Sequence, residues 1–190
     1  DAAVRNGVGL TRHVRTLRSS EDKQIPLSPV PLGPAVAEAA LLAGDAARAK
    51  SITLAVDATD TPVMAERHAL VVSVLGNLLS NALKFSDPGT TVSLSTEVQP
   101  DRVCLVVRDQ GAGMPPDAVA TLFDVTRSIS RVGTAGERGT GFGMPLMQRF
   151  VTRFGGTVDV ASRPVDTHPT DHGTEFRIWL RRGDAPQGTA

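Results

Sequence analysis

Two periods of hydrophobic and polar positions follow one another along the chain and predict its helices and strands. Between residues 66 and 85 apolar positions recur every three or four residues, which predicts an amphipathic helix. Residues 91–98 and 102–108 are short alternating or apolar runs separated by a tight polar loop, which predicts a β-hairpin. Further strands are predicted at residues 51–56, 62–64, 156–162 and 173–180, and further helices at residues 4–18, 35–50, 116–122 and 141–154.

The order of these elements predicts an α/β two-layer sandwich of the α+β kind. We expect a mixed, largely antiparallel sheet of about five strands, covered on one face by about three helices. The stretch SSEDKQIPLSPVPLGP, residues 19–34, is rich in Ser and Pro and is predicted to be a linker. We therefore expect a helix end and linker over residues 1–30, a folded domain over residues 31–181 and a flexible tail over residues 182–190.

Three polar side chains share one face of the most apolar part of the predicted helix. Asn77, Asn81 and Lys84 occur in VLGNLLSNALKFS at helical spacing, so they lie within roughly 60° of one another. Asn oxygens suit Mg²⁺, and the Lys ammonium suits a phosphate oxygen. This face therefore fits a metal-bound polyphosphate, with a solvated helix face as an equal alternative on this segment alone. The opposite face carries Leu75, Leu78, Leu79, Ala82 and Leu83.

Composition narrows the classes of function without choosing one. The 190 residues are 41% hydrophobic and 21% charged, which is ordinary for a globular domain. Lys plus Arg and Asp plus Glu each number 20, so net charge gives no support for nucleic-acid binding. The single cysteine, Cys104, excludes a disulfide framework, and no apolar run reaches membrane-spanning length.

Two glycine-rich motifs add chemistry to this picture. DQGAGM, residues 109–114, directly follows an apolar strand, where the acid can accept a hydrogen bond from an amine such as adenine N6. GTGFGM, residues 139–144, opens a predicted helix, and free N–H groups at a helix start bind anions. The second motif is neither a Rossmann loop, since no strand precedes it, nor a Walker A loop. Each motif alone also fits an ordinary turn.

The ordered set N-x-x-x-N-x-x-K, D-x-G-x-G, G-x-G-x-G and G-T-x-F is specific. With it the chain resembles the ATP-binding catalytic domain of bacterial sensor histidine kinases, a family related to gyrase, the heat-shock-90 chaperones and the mismatch-repair ATPases. NLLSNALKFS resembles the family's N box, DQGAGMP its first glycine box, LFD its F box and GTGFGM its second glycine box. The resemblance covers about residues 31–181. It implies a Bergerat-type ATP-binding fold and protein-histidine kinase activity with ATP and Mg²⁺.

The resemblance also implies a role for each matching residue. Asn77 and Asn81 match the N-box asparagines, and Asn81 is the expected ligand of Mg²⁺. Lys84 matches the phosphate-contacting lysine, so Asn77 and Lys84 are the expected catalytic residues. Asp109 matches the acid that binds the adenine amine. The other expected nucleotide-binding residues are Gly111, Gly113, Phe123, Gly139, Thr140, Gly141, Phe142, Gly143 and Thr174.

Residues 124–140 match the ATP lid of the family. Their Ser, Thr, Gly and Arg composition fits a loop that is ordered by its ligand. Arg127, Arg131 and Arg138 are candidate contacts to the γ-phosphate, with solvated charge as the alternative for each. The F box departs from the family pattern because Phe123 is its only aromatic residue, which weakens any expectation about docking of the lid.

The implied reaction is transfer of the γ-phosphoryl group of Mg-ATP to a histidine, followed by relay to a response-regulator aspartate. The phosphoacceptor of the family is a histidine followed by an acid, and His13 is followed by Val14. Residues 1–30 therefore resemble the end of a dimerisation-domain helix and its linker. Expected partners are ATP, an upstream phosphoacceptor domain and a receiver domain, in a full-length homodimer. We expect a cytoplasmic fragment without nucleic-acid or membrane contact, and leave membrane anchoring of the full-length protein open.

Three alternatives from other functional classes remain. An ATP hydrolase of the gyrase or mismatch-repair type places a water-activating Glu where Asn77 stands. Because an amide cannot take a proton at neutral pH, we expect hydrolysis to be slow. A serine kinase of the anti-sigma-factor type usually stands alone, without a linker such as residues 1–30. A pocket used only for protein contacts is disfavoured because every nucleotide position of the family pattern is filled.

Overall fold

The computed structural model describes residues 26–126, 132–137 and 139–184. His13, Arg127, Arg131 and Arg138, together with the predicted helix over residues 4–18, lie outside the described residues. The strands are β1 (Ser28–Pro31), β2 (Thr53–Asp57), β3 (Pro62–Ala65), β4 (Thr91–Val98), β5 (Arg102–Arg108), β6 (Thr157–Arg163) and β7 (Gly173–Arg181). The helices are α1 (Leu32–Ala49), α2 (Gly76–Phe85), α3 (Pro116–Ala120) and α4 (Gly143–Arg153), and a π-helical segment, Ala69–Leu75, precedes α2.

Five strands form one mixed sheet in the order β2-β4-β5-β7-β6. β2 runs parallel to β4, and every other neighbouring pair in this sheet is antiparallel. β1 and β3 form a separate two-stranded antiparallel sheet. The predicted two-layer arrangement with a largely antiparallel sheet of five strands is therefore confirmed. Within the described residues, no helix is both long enough and apolar enough to cross a membrane.

One face of the sheet packs against the helices and forms the core. Along β7, Phe176, Ile178 and Leu180 are buried, whereas the residues between them are half-buried on the other face. The predicted apolar face of α2 is buried against this layer, since each of its members is at most 4% exposed. This burial fixes the rotation of α2 about its axis, so its polar face is turned away from the core.

The N-terminal boundary of the domain differs from the sequence interpretation. Ser28–Pro31, assigned to the linker, pair with Pro62–Ala65 as β1, and Val30 is 3% exposed. The Ser and Pro content of this stretch is typical of a turn, but edge strands tolerate Pro because one row of N–H groups needs no partner. The following helix begins at Leu32 and not at residue 35, because Pro is accepted in the first turn of a helix.

The C-terminal boundary also extends beyond the predicted one. Arg182 forms an isolated β-bridge with Val63, and the N–H of Gly183 donates to the carbonyl of Pro62 at 2.7 Å. Composition predicts that both residues belong to the tail. The backbone pairing shows that the chain remains attached to β3 beyond residue 181.

The helix predicted over residues 66–85 has two windings. Ala69–Leu75 is π-helical, and the N–H of Gly76 donates to the carbonyl of Val71, five residues earlier. The α-helical winding of α2 then begins at Gly76. Apolar periodicity does not separate the two windings, because leucines on both sides of the junction are buried in one core. Short π-helical segments often lie at functional sites.

Candidate nucleotide-binding site

A cavity of about 500 Å³ lies beside α2, α3 and the start of α4. Its volume falls in the usual range for small-molecule sites. One part of its wall is polar and the other is mostly apolar. The polar part consists of Asn77, Ser80, Asn81, Lys84, Gly139, Thr140, Gly141 and Gly143. The remaining lining residues are Phe85, Met114, Pro115, Asp117, Ala118, Thr121, Leu122 and Met144.

Asn77 is held in one orientation by its own helix. Its Nδ2 donates to the carbonyl of Ser73 at 2.6 Å, which leaves Oδ1 as the acceptor end. A Cβ added to Gly143 would lie only 2.8 Å from this Oδ1. The first residue of α4 therefore contacts the Asn77 amide at a distance that a glycine permits. The structure thus brings the predicted N box and the second predicted glycine box together.

Asn81 and Lys84 line the same cavity further along α2, and both are half-buried. The Nζ of Lys84 lies 4.8 Å from the centroid of the Phe85 ring. Among the described residues, no group of three or more His, Cys, Asp or Glu side chains could hold a metal ion. Amide oxygens beside an ammonium group therefore fit a Mg²⁺ ion that phosphate oxygens also coordinate, and not a site built from protein carboxylates.

The second glycine motif forms another part of the polar wall. Gly141 has φ of 78°, a conformation that residues with a Cβ rarely adopt. α4 begins directly afterwards at Gly143, so the positive end of its dipole lies at the cavity wall. Phe142 precedes this helix as its N-cap residue and is half-buried outside the cavity lining. Thr140 lines the cavity, and its Oγ1 accepts from the Phe142 N–H at 3.4 Å.

Asp109 lies just after β5 and is 4% exposed. Its Oδ1 accepts hydrogen bonds from the N–H of Gly111 at 2.9 Å and of Thr174 at 3.1 Å. Burial raises the pKa of Asp109 to about 6, although the two backbone hydrogen bonds and nearby His172 oppose the rise. The structure thus places Asp109 and Thr174 together.

Asp109 and Thr174 connect to the main cavity through a short chain of hydrogen bonds. The Thr174 and Ser162 hydroxyl oxygens are 2.8 Å apart, and the Met114 N–H donates to the Ser162 Oγ at 2.8 Å. The Met114 side of this chain borders the 500 Å³ cavity. Asp109 and Thr174 themselves line an adjacent cavity of about 380 Å³. The described side chains therefore form two neighbouring clusters.

Three other residues predicted to bind nucleotide lie outside the lining of the main cavity. A Cβ on Gly111 would collide with the carbonyl of Phe85, and one on Gly113 with the carbonyl of Arg163. Gly113 also has φ of 65°, so close packing and backbone conformation both require a glycine there. Phe123 is half-buried against the hydrophobic core, while its neighbour Leu122 lines the cavity.

Sequence reasoning missed the apolar wall of the cavity. Met114, Pro115, Ala118 and Leu122 belong to this wall and come from α3 and the residues around it. The signal was present, because these residues follow the first glycine motif directly and recur near helical spacing. A helix as short as α3 is, however, equally typical of a connection between two motifs.

Known proteins resemble this chain in sequence and in fold. A sequence profile of the family described as "Histidine kinase-, DNA gyrase B-, and HSP90-like ATPase" matches residues 66–184. Sensor histidine kinase YcbM of Bacillus subtilis is 28% identical over 164 residues, which are 86% of this chain and 51% of YcbM. This chain therefore spans about half the length of that relative.

Two solved structures share the fold. The mycobacterial sensor histidine kinase MprB is 26% identical with a TM-score of 0.67, and the match covers 82% of this chain and 97% of that structure. Full-length ShkA, solved in complex with AMPPNP, is 25% identical with a TM-score of 0.73, covering 97% and 38%. On the family profile and these relatives, the chain belongs to the histidine kinase-, DNA gyrase B- and HSP90-like ATPase family and contains an ATP-binding domain of the histidine kinase type.

Proposed function

We propose that this chain is the catalytic, ATP-binding domain of a two-component sensor histidine kinase. It binds Mg-ATP and donates the γ-phosphoryl group to a histidine on a dimerisation domain, for relay to an aspartate of a response-regulator receiver domain. One observation carries the proposal: Asn77, Asn81 and Lys84 share a cavity with the glycine-rich start of α4. The similarity to sensor histidine kinases, and the AMPPNP bound to ShkA, support the same assignment.

At the phosphate end, each group has a separate task. Asn81, with Asn77 beside it, supplies amide oxygens to Mg²⁺, and Lys84 binds a phosphate oxygen. When bound, Mg²⁺ neutralises negative charge on the phosphate oxygens during transfer. The backbone of Gly139, Gly141 and Gly143 approaches the phosphates closely, because no Cβ intervenes and the dipole of α4 favours an anion.

At the adenine end, Asp109 accepts a hydrogen bond from the exocyclic amine of the base. Its Oδ1 already accepts two backbone N–H groups, which hold the carboxyl in place. Thr174 lies beside it and completes this cluster. The apolar wall formed by Met114 and Leu122 supplies a surface for the flat face of the base.

The amide at position 77 favours phosphoryl transfer over hydrolysis. No proton can move to a neutral carboxamide at physiological pH, so Asn77 does not activate a water molecule for attack on ATP. The chain positions the phosphates and neutralises their charge, while the incoming nucleophile is the imidazole nitrogen of a histidine. That nitrogen forms a bond to the γ-phosphorus as the bond to the ADP oxygen breaks.

The same proposal covers the surroundings of the domain. The catalytic domain extends from β1 at Ser28 to Gly183, residues 1–27 belong to the end of the dimerisation domain with its linker, and residues 184–190 follow the domain. The full-length protein is a homodimer, and this part of it works in the cytoplasm. Arg127, Arg131 and Arg138 are the candidates for a contact to the γ-phosphate, with solvated charge as the alternative for each.

Calorimetry and a transfer assay test the proposal in two steps. We expect saturable binding of Mg-ATP, which Asn81→Ala removes or strongly weakens. With labelled ATP, a histidine-bearing dimerisation domain supplied in trans should gain acid-labile phosphate, and this chain should remain unlabelled. Absence of binding at millimolar ATP would overturn nucleotide binding. Acid-labile label on His13 would instead overturn the assignment of the acceptor to another domain.

A further inference from the structure

Lys50 joins two parts of the molecule that the nucleotide motifs do not connect. It is the C-cap residue of α1, and its side chain is 14% exposed. Its Nζ donates to the carbonyls of Leu83 and Lys84, at 2.8 Å and 3.1 Å. These carbonyls belong to the last turn of α2. Carbonyl groups there lack hydrogen-bond partners within the helix, and their partial negative charge favours a nearby cation. Lys50 therefore caps the C-terminal end of the helix that carries the asparagines.

The same ammonium group holds a second segment, residues 132–137. Its Nζ lies 2.8 Å from the Oγ1 of Thr134 and 2.9 Å from the Oε1 of Glu137. The other carboxyl oxygen of Glu137 accepts the Ala135 N–H at 2.9 Å. Burial alone would raise the pKa of Glu137, but the hydrogen bonds from Lys50 and backbone N–H groups outweigh it and lower that pKa.

Residues 132–137 also contact α2 directly. The Thr134 N–H donates to the carbonyl of Lys84 at 3.0 Å, and the Thr134 hydroxyl donates to the carbonyl of Ser86 at 2.9 Å. A Cβ on Gly133 would lie 2.6 Å from the Cγ of Lys84. The segment is therefore packed against the aliphatic stem of a lysine whose side chain lines the cavity.

The chain continues from this segment into the glycine-rich part of the polar wall. Gly139 follows Glu137 by two residues and lines the same cavity, as does Gly141. Lys50, through Glu137, thus fixes the point from which the glycine-rich stretch departs. Through Thr134 and the end of α2 it also fixes the base of the Lys84 side chain. Both sides of the phosphate end are tied to one ammonium group.

We propose that Lys50 and Glu137 are positioning residues, which hold residues 132–137 on the end of α2 and so place Lys84 and the glycine-rich stretch around the phosphates of ATP. This inference rests on the proposed function, because the phosphates are its object. Neither side chain lines the main cavity, and both are bound to groups of the protein itself. Their effect passes through the groups that they hold.

Four variants measured by calorimetry with Mg-AMPPNP test the inference. Glu137→Gln keeps the shape of the side chain and removes its charge, and we expect about fivefold weaker binding. Lys50→Met removes every contact of the ammonium group, and we expect about tenfold weaker binding or more. The double variant should bind about as weakly as Lys50→Met alone, because the pair acts as a unit. The control is Glu38→Gln, which breaks the exposed pair between Glu38 and Arg67 on the surface and should change nothing.

Thermal unfolding of the same variants separates positioning from folding. A positioning role predicts that Glu137→Gln loses affinity while its midpoint stays within about 2 °C of the unchanged chain. A purely structural role predicts a lower midpoint and unchanged affinity at 25 °C, and this result overturns the inference. If Lys50→Met does not fold, the affinity and the unfolding midpoint of Glu137→Gln are sufficient to test the inference. An unchanged chain that binds no Mg-AMPPNP overturns the proposed function as well, whereas normal binding by Glu137→Gln overturns only the present inference.

Discussion

Asp109 and Thr174, at the adenine end of the candidate site, are 4% and 6% exposed, whereas Asn81 and Lys84, at the phosphate end, are half-buried. The buried pair is joined by hydrogen bonds to backbone N–H groups and to a neighbouring hydroxyl. The other pair extends from one helix face into an open cavity. The adenine end is therefore part of the folded core, and the phosphate end is a surface that the core supports.

This difference predicts how each end responds to substitution. At the adenine end, the groups that would select the base also satisfy buried backbone donors, so binding and folding share the same residues. At the phosphate end, the groups proposed to bind the anion are half-buried, and we expect them to contribute little to the stability of the fold. Variants that separate loss of binding from loss of stability therefore test the comparison directly.

The largest expected effect is the loss of stability on replacing a glycine beside the adenine end. Gly113→Ala should lower the free energy of unfolding by about 3 kcal/mol or more, because φ is 65° and the added Cβ meets the carbonyl of Arg163. Urea denaturation measures the change. Gly89→Ala is the matched control, since Gly89 has φ of 82° but nothing within 4 Å of its added Cβ. Equal losses of unfolding free energy in the two variants would show that the close contact with the Arg163 carbonyl contributes nothing.

The next effect concerns affinity alone, at the phosphate end. Asn81→Ala should weaken the binding of Mg-ATP by about 10-fold to 100-fold, since an amide oxygen proposed to bind Mg²⁺ is lost. Its unfolding free energy should change by less than about 1 kcal/mol, because the side chain is half-buried. Calorimetry and urea denaturation give the two values. Ser80→Ala, in the same cavity wall, should weaken binding less than about threefold, and an equal effect would argue against a special role for Asn81.

Replacing the adenine acid should give a smaller loss of affinity. Asp109→Asn retains an oxygen for the two backbone donors but replaces the carboxylate that accepts the adenine amine, so about 10-fold weaker binding of ADP and ATP is expected. Stability at pH 7 should not fall, because the neutral amide avoids the cost of burying a charged carboxylate. Asp117→Asn, at the wall of the main cavity, is the control. Parallel loss of stability and binding in the first variant would make Asp109 a structural residue.

The smallest expected change in affinity is a dependence on pH that follows from the raised pKa of Asp109. Because the folded-state pKa of about 6 exceeds the ordinary 3.8, the folded chain binds this proton more tightly than the unfolded chain. The contribution of Asp109 to stability is then greatest below pH 4 and falls by about 3 kcal/mol as the pH rises through 6. Conversely, the carboxylate needed for the adenine amine forms over the same range. We expect ADP affinity to be about fivefold higher at pH 7 than at pH 5, and Asp109→Asn to lack that change.

Sequence patterns predicted the parts of the molecule that rest on local periodicity or on ordered motifs. The bounds of β4 and β5 agree with the predicted hairpin, because strong apolar runs flank a short polar loop. The asparagine helix and the second glycine motif meet at one cavity, as their combination implied. Strand β1 was missed because SPVP has the composition of a turn, and its pairing with β3 uses backbone groups that composition does not reveal.

Long-range contacts account for most of what the sequence did not show. Lys50 and Glu137 are 87 positions apart and belong to no motif, so their ion pair is visible only in the fold. Its motif predicts that Gly113 binds nucleotide, whereas a Cβ added to Gly113 would meet the backbone of Arg163 at the end of β6. In both cases, the decisive contact joins segments whose separate sequences look ordinary.

Because Ala69–Leu75 is π-helical, the orientation of α2 about its axis depends on the number of residues in this segment. A π-helical segment accommodates one extra residue, so winding the same residues as ordinary α-helix would rotate everything after the segment by roughly 100° relative to everything before it. The asparagines of α2 would then turn away from the cavity, or the leucines before them would leave the core. Homologues that lack the π-helical winding should therefore also lack one residue of the segment.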